Sequence, residues 1–350
     1  AISILAVFLT IPKSPTQDIF KGEVKQIKDE RMIDSIAGGK IKEQDLLVAV
    51  AIDGEKEEIP VVNDFFVSVK IGDEIFMRRS LFGNEQTFEI IDIGRDKGIV
   101  ALTVLFVFLV LITGGWKGLY SLIGLIFSFG VIFTFIVPFI LKGFNPVTVG
   151  IIGSSLILLA TLYLSYGFSR KSLSALIGIT LTLLLVGLLA NFSVQALRFT
   201  GFANEGAIFL NMETGSPLNV VGLLIAGIII AAIGVLDDVA VTQASTVFSI
   251  ASANPSLGVT DLFKKAMIVG RDHISAVVNT LVLAYTGAAL PLILLLSLRN
   301  TPFSYFISFE MTAEEIVRTL VASSGLLLAV PLTTAIAVFF CKYKSREFKN

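Results

Sequence analysis

LNVVGLLIAGIIIAAIGVLDDVAVTQAS, residues 218–245, decides the fold. From Leu218 to Leu236 no charge interrupts the apolar run, which matches the roughly 20 residues needed to cross a hydrocarbon core of about 30 Å. Asp237 and Asp238 then end it as adjacent carboxylates. A charge held in hydrocarbon costs several kcal/mol, about 2.5–3.5 by insertion scales, so acids at this place are candidates for ion handling, pairing or gating.

Similar runs recur on both sides: about 98–113, 117–141, 146–168, 172–192, 273–297 and 314–341. Every backbone amide in lipid must be paired within its own segment, so continuous apolar runs imply helices. A transmembrane β-barrel is excluded because its strands would alternate in polarity. The apolar stretch Ala1–Ile11 is read as the end of a signal anchor, with a cleaved signal peptide as its rival, and Pro12 and Pro15 break it. The expectation is an α-helical polytopic membrane protein of about eight transmembrane helices, the first one truncated.

Composition agrees. Of 350 residues, 54% are hydrophobic and 16% charged, and the mean hydropathy is +0.84. The charges are uneven, since residues 13–97 hold 13 of the 27 basic and 18 of the 28 acidic residues. Short β-branched runs lie there at Ile19–Ile27, Leu46–Ile52, Ile59–Ile71, Glu74–Arg78 and Thr87–Ile93, separated by Gly38-Gly39, Asp53-Gly54, Gly72-Asp73 and Gly83-Asn84. Five strands at this spacing predict a small extracytoplasmic β-barrel or sandwich domain over 12–97, OB- or barrel-like, ahead of a helical domain over 98–350. Val69-Lys-Ile-Gly-Asp-Glu-Ile-Phe reads as a tight turn into a strand. The β-domain contains no His and no nucleophile–base pair, which favours binding or structure over catalysis.

With that domain outside, Lys117, Arg170, Lys171, Lys264, Lys265, Arg271, Lys342, Lys344, Arg346 and Lys349 fall inside, against Lys142, Arg198 and Arg299 outside. This ten-to-three bias predicts a bacterial cytoplasmic membrane protein with a cytoplasmic C-terminus. A single cysteine, Cys341, leaves no disulfide framework or cysteine metal cluster. Nucleic acid is excluded as a partner, because basic residues and aromatics are not interleaved.

Two constellations carry candidate chemistry. In helical register Asp238, Thr242, Ser245 and Ser249 share a face flanked by Asp237, Gln243 and Thr246, a stripe of oxygens without a basic residue. Such groups can replace the water shell of Na⁺ or share a proton. The plainer reading is a solvated face beyond a span that ends at Leu236. Arg271, Asp272 and His273 head the next run, with Asn279 and Thr280 on the same sides two turns on. Asp272 equally reads as a helix cap, Arg271 as an end marker and His273, the only histidine, as structural or as a proton relay. One histidine without cysteines argues against a dedicated transition-metal site.

Lesser features are the polar patch Asn191, Gln195, Arg198, Asn204 and Glu205, a mouth or an ordinary loop; Pro138, Pro291 and Pro331, expected to kink their helices; and Gly222, Gly227 and Gly234, expected at close helix contacts.

The blocks Gly234-Val-Leu-Asp-Asp-Val-Ala-Val-Thr-Gln-Ala-Ser, Ala253-Asn-Pro, Gly270-Arg-Asp-His-Ile and Asn279-Thr-Leu-Val-Leu-Ala-Tyr resemble the signature blocks of the YibE/F-like family of bacterial multi-pass membrane proteins. The resemblance runs through essentially the whole chain. It implies an anchor, a small β-domain and a helix bundle of permease type, whose polar centre matches Asp237, Asp238, Thr242, Gln243, Arg271, Asp272, His273 and Asn279.

Two functions therefore stand side by side. The first is a transporter that binds a cation or proton, with no cofactor beyond Na⁺ or H⁺ and an unknown small solute or ion as its partner. The second is a non-transporting scaffold or envelope factor, anchored in the lipid bilayer, that binds a protein partner through the external β-domain. An enzyme is disfavoured, because adjacent Asp237 and Asp238 diverge by about 100° on a helix; Asp238 with Asp272 is the one acid pair left that could converge.

Overall fold

The computed structural model describes residues 19–34, 40–52, 55–64, 68–82, 85–214, 218–298 and 301–347. The segment Ala1–Ile11 and the turns expected at Gly38-Gly39, Asp53-Gly54 and Gly83-Asn84 lie outside these residues. The chain divides at Gly115 into two compact units.

In the first unit β1 (Ile19–Asp34), β2 (Lys40–Ile52), β3 (Glu55–Asn63), β4 (Glu74–Phe82) and β5 (Glu85–Ile93) make one antiparallel sheet in the order β3-β2-β1-β4-β5. The long β1 pairs with β4 through Ile19–Glu23 and with β2 through Gly22–Asp34, so it bends to serve both. Register shifts after Val24 and Ile27 supply the bend, and Gly22 permits it, because a Cβ there would lie 2.8 Å from the Met77 methyl. The outer strands are not hydrogen-bonded to each other, and a cleft of about 570 Å³ lies between Val61 and Val62 of β3 and Phe88 and Ile90 of β5. The five expected strands thus form a single antiparallel sheet with β3 and β5 at its edges among the described residues.

Alternation sets the core of this unit. Val24, Leu46, Val48, Val50, Val61, Val69, Ile75, Met77 and Ile90 are buried together. Strand β2 begins at Lys40, earlier than the expected Leu46, because the inward register continues to Gln44, which is 1% exposed. Gln44 Oε1 accepts from the Val69 amide at 2.8 Å and from Asn63 Nδ2 at 3.0 Å, while Nε2 donates to Val69 O at 3.1 Å and to Glu30 at 2.8 Å. Both donors and both acceptor directions are used. The side chain fastens the segment beyond β3, which is why β3 stops at Asn63 and not at the expected Ile71. The expected tight turn forms at Gly72, with φ of 90° and an Asp73 N to Lys70 O bond of 3.0 Å. Lys21 then bridges Glu74 and Asp96 at 2.7 Å each, and these carboxylates hold its pKa above the ordinary lysine value.

Beyond the sheet, α1 (Asp96–Val131) is broken at Gly115, whose φ of 52° with ψ of −135° is a conformation that only glycine adopts freely. A π-turn over Ile132–Ile136 precedes α2 (Val137–Leu141). The widened turn falls just before Pro138, which has no N–H to continue the regular ladder. There follow α3 (Pro146–Tyr166), α4 (Arg170–Ala196), α5 (Glu205–Glu213), α6 (Val220–Ala253), α7 (Val259–Ala288), α8 (Leu290–Leu298), α9 (Phe303–Ser308) and α10 (Glu310–Glu347).

Among the described residues six stretches are long and apolar enough to cross a membrane, one fewer than the seven full runs expected there. The difference lies at the start, where 98–113 and 117–141 form one stretch, Asp96–Leu141, of 46 residues that Gly115 breaks. Boundaries shift as well. α6 continues 17 residues past Leu236 because Val239, Ala240, Ala244 and Val247 keep a buried face, and it stops only at Asn254-Pro255. α7 starts at Val259, well before the expected 273, and the chain breaks at Ala289 ahead of Pro291. Pro331, by contrast, lies inside a continuous α10.

α4, α6 and α10 pack against one another, α3 lies on α6, and α7 lies on α6 and α10. Small residues make the contacts close, as is usual where lipid competes with side chains for apolar surface. A Cβ on Gly178 of α4 would lie 3.0 Å from Thr333 Cα, one on Gly325 of α10 would lie 2.6 Å from Val186, and one on Gly150 of α3 would lie 3.1 Å from the Ala226 Cβ. The glycines expected in this role behave otherwise. Gly227 and Gly234 have no neighbour within 4 Å, and Gly222 meets only the side chain of Asn219, its own helix cap.

Two outcomes are expected. Replacing Gln44 by Leu strands the Val69 amide and takes one hydrogen bond from Asn63, costing about 1–3 kcal/mol; hydrogen exchange of the full chain in detergent must show the Val69 amide losing most of its protection. Gly178→Ala should lower the thermal midpoint of the detergent-solubilised protein through overpacking worth about 1–3 kcal/mol, whereas Gly227→Ala should leave it unchanged or raise it. Equal midpoints for the two variants would contradict this packing.

Candidate functional site

Asp237 lies at the middle of α6, 17 residues from Val220 and 16 from Ala253. It is half-buried, while Asp238 beside it is exposed. The helix places Leu236, Val239 and Ala240 in the core, so Asp237 is carried to the edge of the α3 contact. There its Oδ2 lies 3.2 Å from Thr161 Oγ1 on α3. The same hydroxyl is 3.3 Å from Leu158 O, so one hydrogen is divided between two acceptors. Asp237 Oδ1 is enclosed and has no hydrogen-bond partner. Among the described residues no Lys, Arg or His forms an ion pair with Asp237 or Asp238.

Gln243 is the candidate most firmly held. It is 3% exposed, and its Nε2 donates to Ala266 O of α7 at 3.0 Å and to Thr334 Oγ1 of α10 at 2.7 Å. Gly270 makes room for it, since a Cβ there would lie 3.0 Å from both Gln243 amide atoms. Thus the two expected constellations do meet, but at Gln243 and Gly270. Thr242 is exposed and Ser245 is half-buried.

The polar groups of α7 take the other side of their helix. Met267, Ile274, Val277 and Val278 pack toward Val239, Leu326 and Val330. Arg271, Asp272, Asn279 and Thr280 are consequently exposed, and His273 is half-buried and without a hydrogen bond among the described residues. Thr280 donates to its own helix at Ala276 O, 3.1 Å away. No hydrogen bond or ion pair joins Arg271, Asp272 or His273 to the Asp237 region among the described residues. Asp272 does not cap a helix start, because α7 begins thirteen residues earlier with Gly258 as its N-cap. Nor does any group of three His, Cys, Asp or Glu stand close enough to hold a metal ion among these residues.

A second polar region, at the opposite ends of α4 and α10, was not singled out from the sequence. Glu310 accepts from the amides of Thr200 and Gly201 at 2.5 and 3.2 Å and from Thr200 Oγ1 at 2.8 Å. One and two turns on, Glu315 pairs with Arg318 at 2.5 Å, and Glu314 is buried. The signal was present as Glu310, Glu314 and Arg318 at i, i+4 and i+8, one face of a helix. Asn204 and Glu205, read from the sequence as part of a mouth or an ordinary loop, border the same region, and Asn204 caps α5.

Membrane-length apolar helices that enclose an unpaired carboxylate, following an antiparallel sheet, define a multispanning membrane protein. The chain belongs to the YibE/F-like protein family, whose profile matches residues 102–343 and so covers the helices but not the sheet. Among curated proteins and among solved structures there is no match.

Proposed function

We propose that the chain is a permease of the bacterial cytoplasmic membrane in which Asp237 holds a proton or Na⁺ coupled to the movement of a small solute. What carries this reading is the state of Asp237: a carboxylate halfway along a membrane-length helix, one oxygen enclosed and unpartnered, the other on half of one hydroxyl hydrogen, with no basic residue paired to it among the described residues. A charge so placed is costly unless a mobile cation or a proton neutralises it. A carboxylate kept only for helix packing would gain by acquiring a fixed cationic partner, and Asp237 has none. Thr161 is then an ion ligand or proton partner, and Gln243 ties α7 and α10 to the helix that carries the acid. Transport is the use this arrangement suits best.

The scaffold reading retains one support, the open edges of β3 and β5 with a cleft between them, where an extended segment of a partner protein could add a strand.

For orientation, the ten-to-three bias of basic residues supports a cytoplasmic C-terminus. Lys342 Nζ donates to Pro255 O at 3.0 Å, so the C-terminal ends of α6 and α10 belong to one side.

Purified protein in proteoliposomes should take up protons or radioactive sodium along an imposed gradient, and Asp237→Asn should slow this about tenfold or more while leaving the thermal midpoint in place. Undiminished uptake by a folded Asp237→Asn protein would sink the permease. Orientation is checked in a Cys341→Ser background: on intact spheroplasts an impermeant maleimide should label Glu58→Cys and spare Lys265→Cys, and the reverse pattern would overturn the assignment.

A further inference from the structure

At the far end of the bundle from Lys342, two concavities of about 250 and 520 Å³ share Asn204, Glu314 and Arg318 in their walls. Glu314 stands between them and is 6% exposed, and its Oε1 is enclosed without a hydrogen-bond partner. The groups that could have satisfied it are engaged elsewhere. Arg318 is paired with Glu315, and Glu310 is held by the amides of Thr200 and Gly201. Glu205, at the start of α5, also borders the larger concavity, so its charged lining is three carboxylates against one guanidinium.

A buried acceptor that faces space and lacks a donor marks a place for a donor from outside. We infer that these concavities form a binding site for an organic ammonium ion, its N–H groups on Glu314 and its apolar body against Tyr285, Met311 and Leu292. A bare metal ion fits less well, because no three acids converge among the described residues. An ammonium needs one carboxylate for a charge-assisted hydrogen bond, and a neighbouring aromatic face adds to its binding. Tyr285 supplies the ring, and the remaining walls of both concavities are mainly apolar, including Leu210 and Leu223 on the smaller side. The ammonium could belong to a free amine or to an ethanolamine lipid headgroup. This site is distinct from Asp237, and its occupancy does not depend on transport.

The test uses the full chain in nanodiscs without any gradient, so a failure of the permease reading leaves it untouched. Benzylammonium chloride, titrated calorimetrically in phosphatidylcholine discs, should bind saturably, and benzyl alcohol at the same concentrations should not. Glu314→Gln should weaken the amine about tenfold or more. Discs containing phosphatidylethanolamine distinguish the sources: weaker apparent binding there assigns the site to the lipid headgroup, and unchanged binding assigns it to a free amine. Absence of saturable binding in phosphatidylcholine discs, equal binding of the alcohol, or undiminished binding by Glu314→Gln would each overturn the inference. Should Glu314→Gln not fold, the contrast between amine and alcohol on the native chain decides alone.

Discussion

In hydrocarbon a polar group has no water to fall back on, so each must find its partner within the chain, and the helical unit is organised by which groups can do so. Many hydroxyls manage locally, although Ser154, Thr312, Ser323 and Thr333 keep buried oxygens without a partner. Thr103, Thr113, Ser128, Thr134, Ser155, Ser174, Thr180, Thr182, Thr319 and Thr334 each donate to the carbonyl one turn back in their own helix. A carboxylate cannot do this, since it has no hydrogen to give and the helix amides are already used. Asp237 and Glu314 therefore depend on neighbouring elements or on something from outside the chain, and each keeps an enclosed oxygen without a partner. The chemistry proposed for both follows from the charge that such a carboxylate carries, which an unpartnered hydroxyl does not.

The two units solve the buried-amide problem alike. Gln44 in the sheet and Gln243 in the bundle each occupy an inward register position where an apolar residue would be expected, and each reaches two other segments. A glutamine can donate and accept at once, so it joins segments that apolar packing alone would leave free to slide. Gly270 shows the accompanying requirement: space for the amide had to be left on the facing helix.

Much of this architecture is legible in the residue order. Runs of apolar residues at membrane length announce the helices, and the alternation around Leu46, Val48 and Val50 announces the strands. Errors fell where a rule based on hydropathy met continued packing. The apolar span before Asp237 ends at Leu236, yet the helix runs on to Ala253 because one side of it remains buried. Gly227 and Gly234 looked like contact points because small residues often are, but a residue's partner is not written in its own sequence neighbourhood, and the true contacts are Gly150, Gly178 and Gly325. Of the polar candidates, Asp237 and Gln243 could be read as special from their place in an apolar run. Thr161 and Thr334 could not, because each looks like any other hydroxyl until a second helix is laid against it.

By itself, then, the order of residues determined that apolar helices follow a charged β-sheet and that acids stand within the apolar part, for these depend only on periodicity, run length and the cost of charge in lipid. Which acids lack a donor, and which face of α7 looks inward, was decided by tertiary structure alone. Hydrogen bonding of this kind is a relation between segments distant in sequence, and Asp237 meets Thr161, or Gln243 meets Ala266 and Thr334, only once the helices have settled against one another.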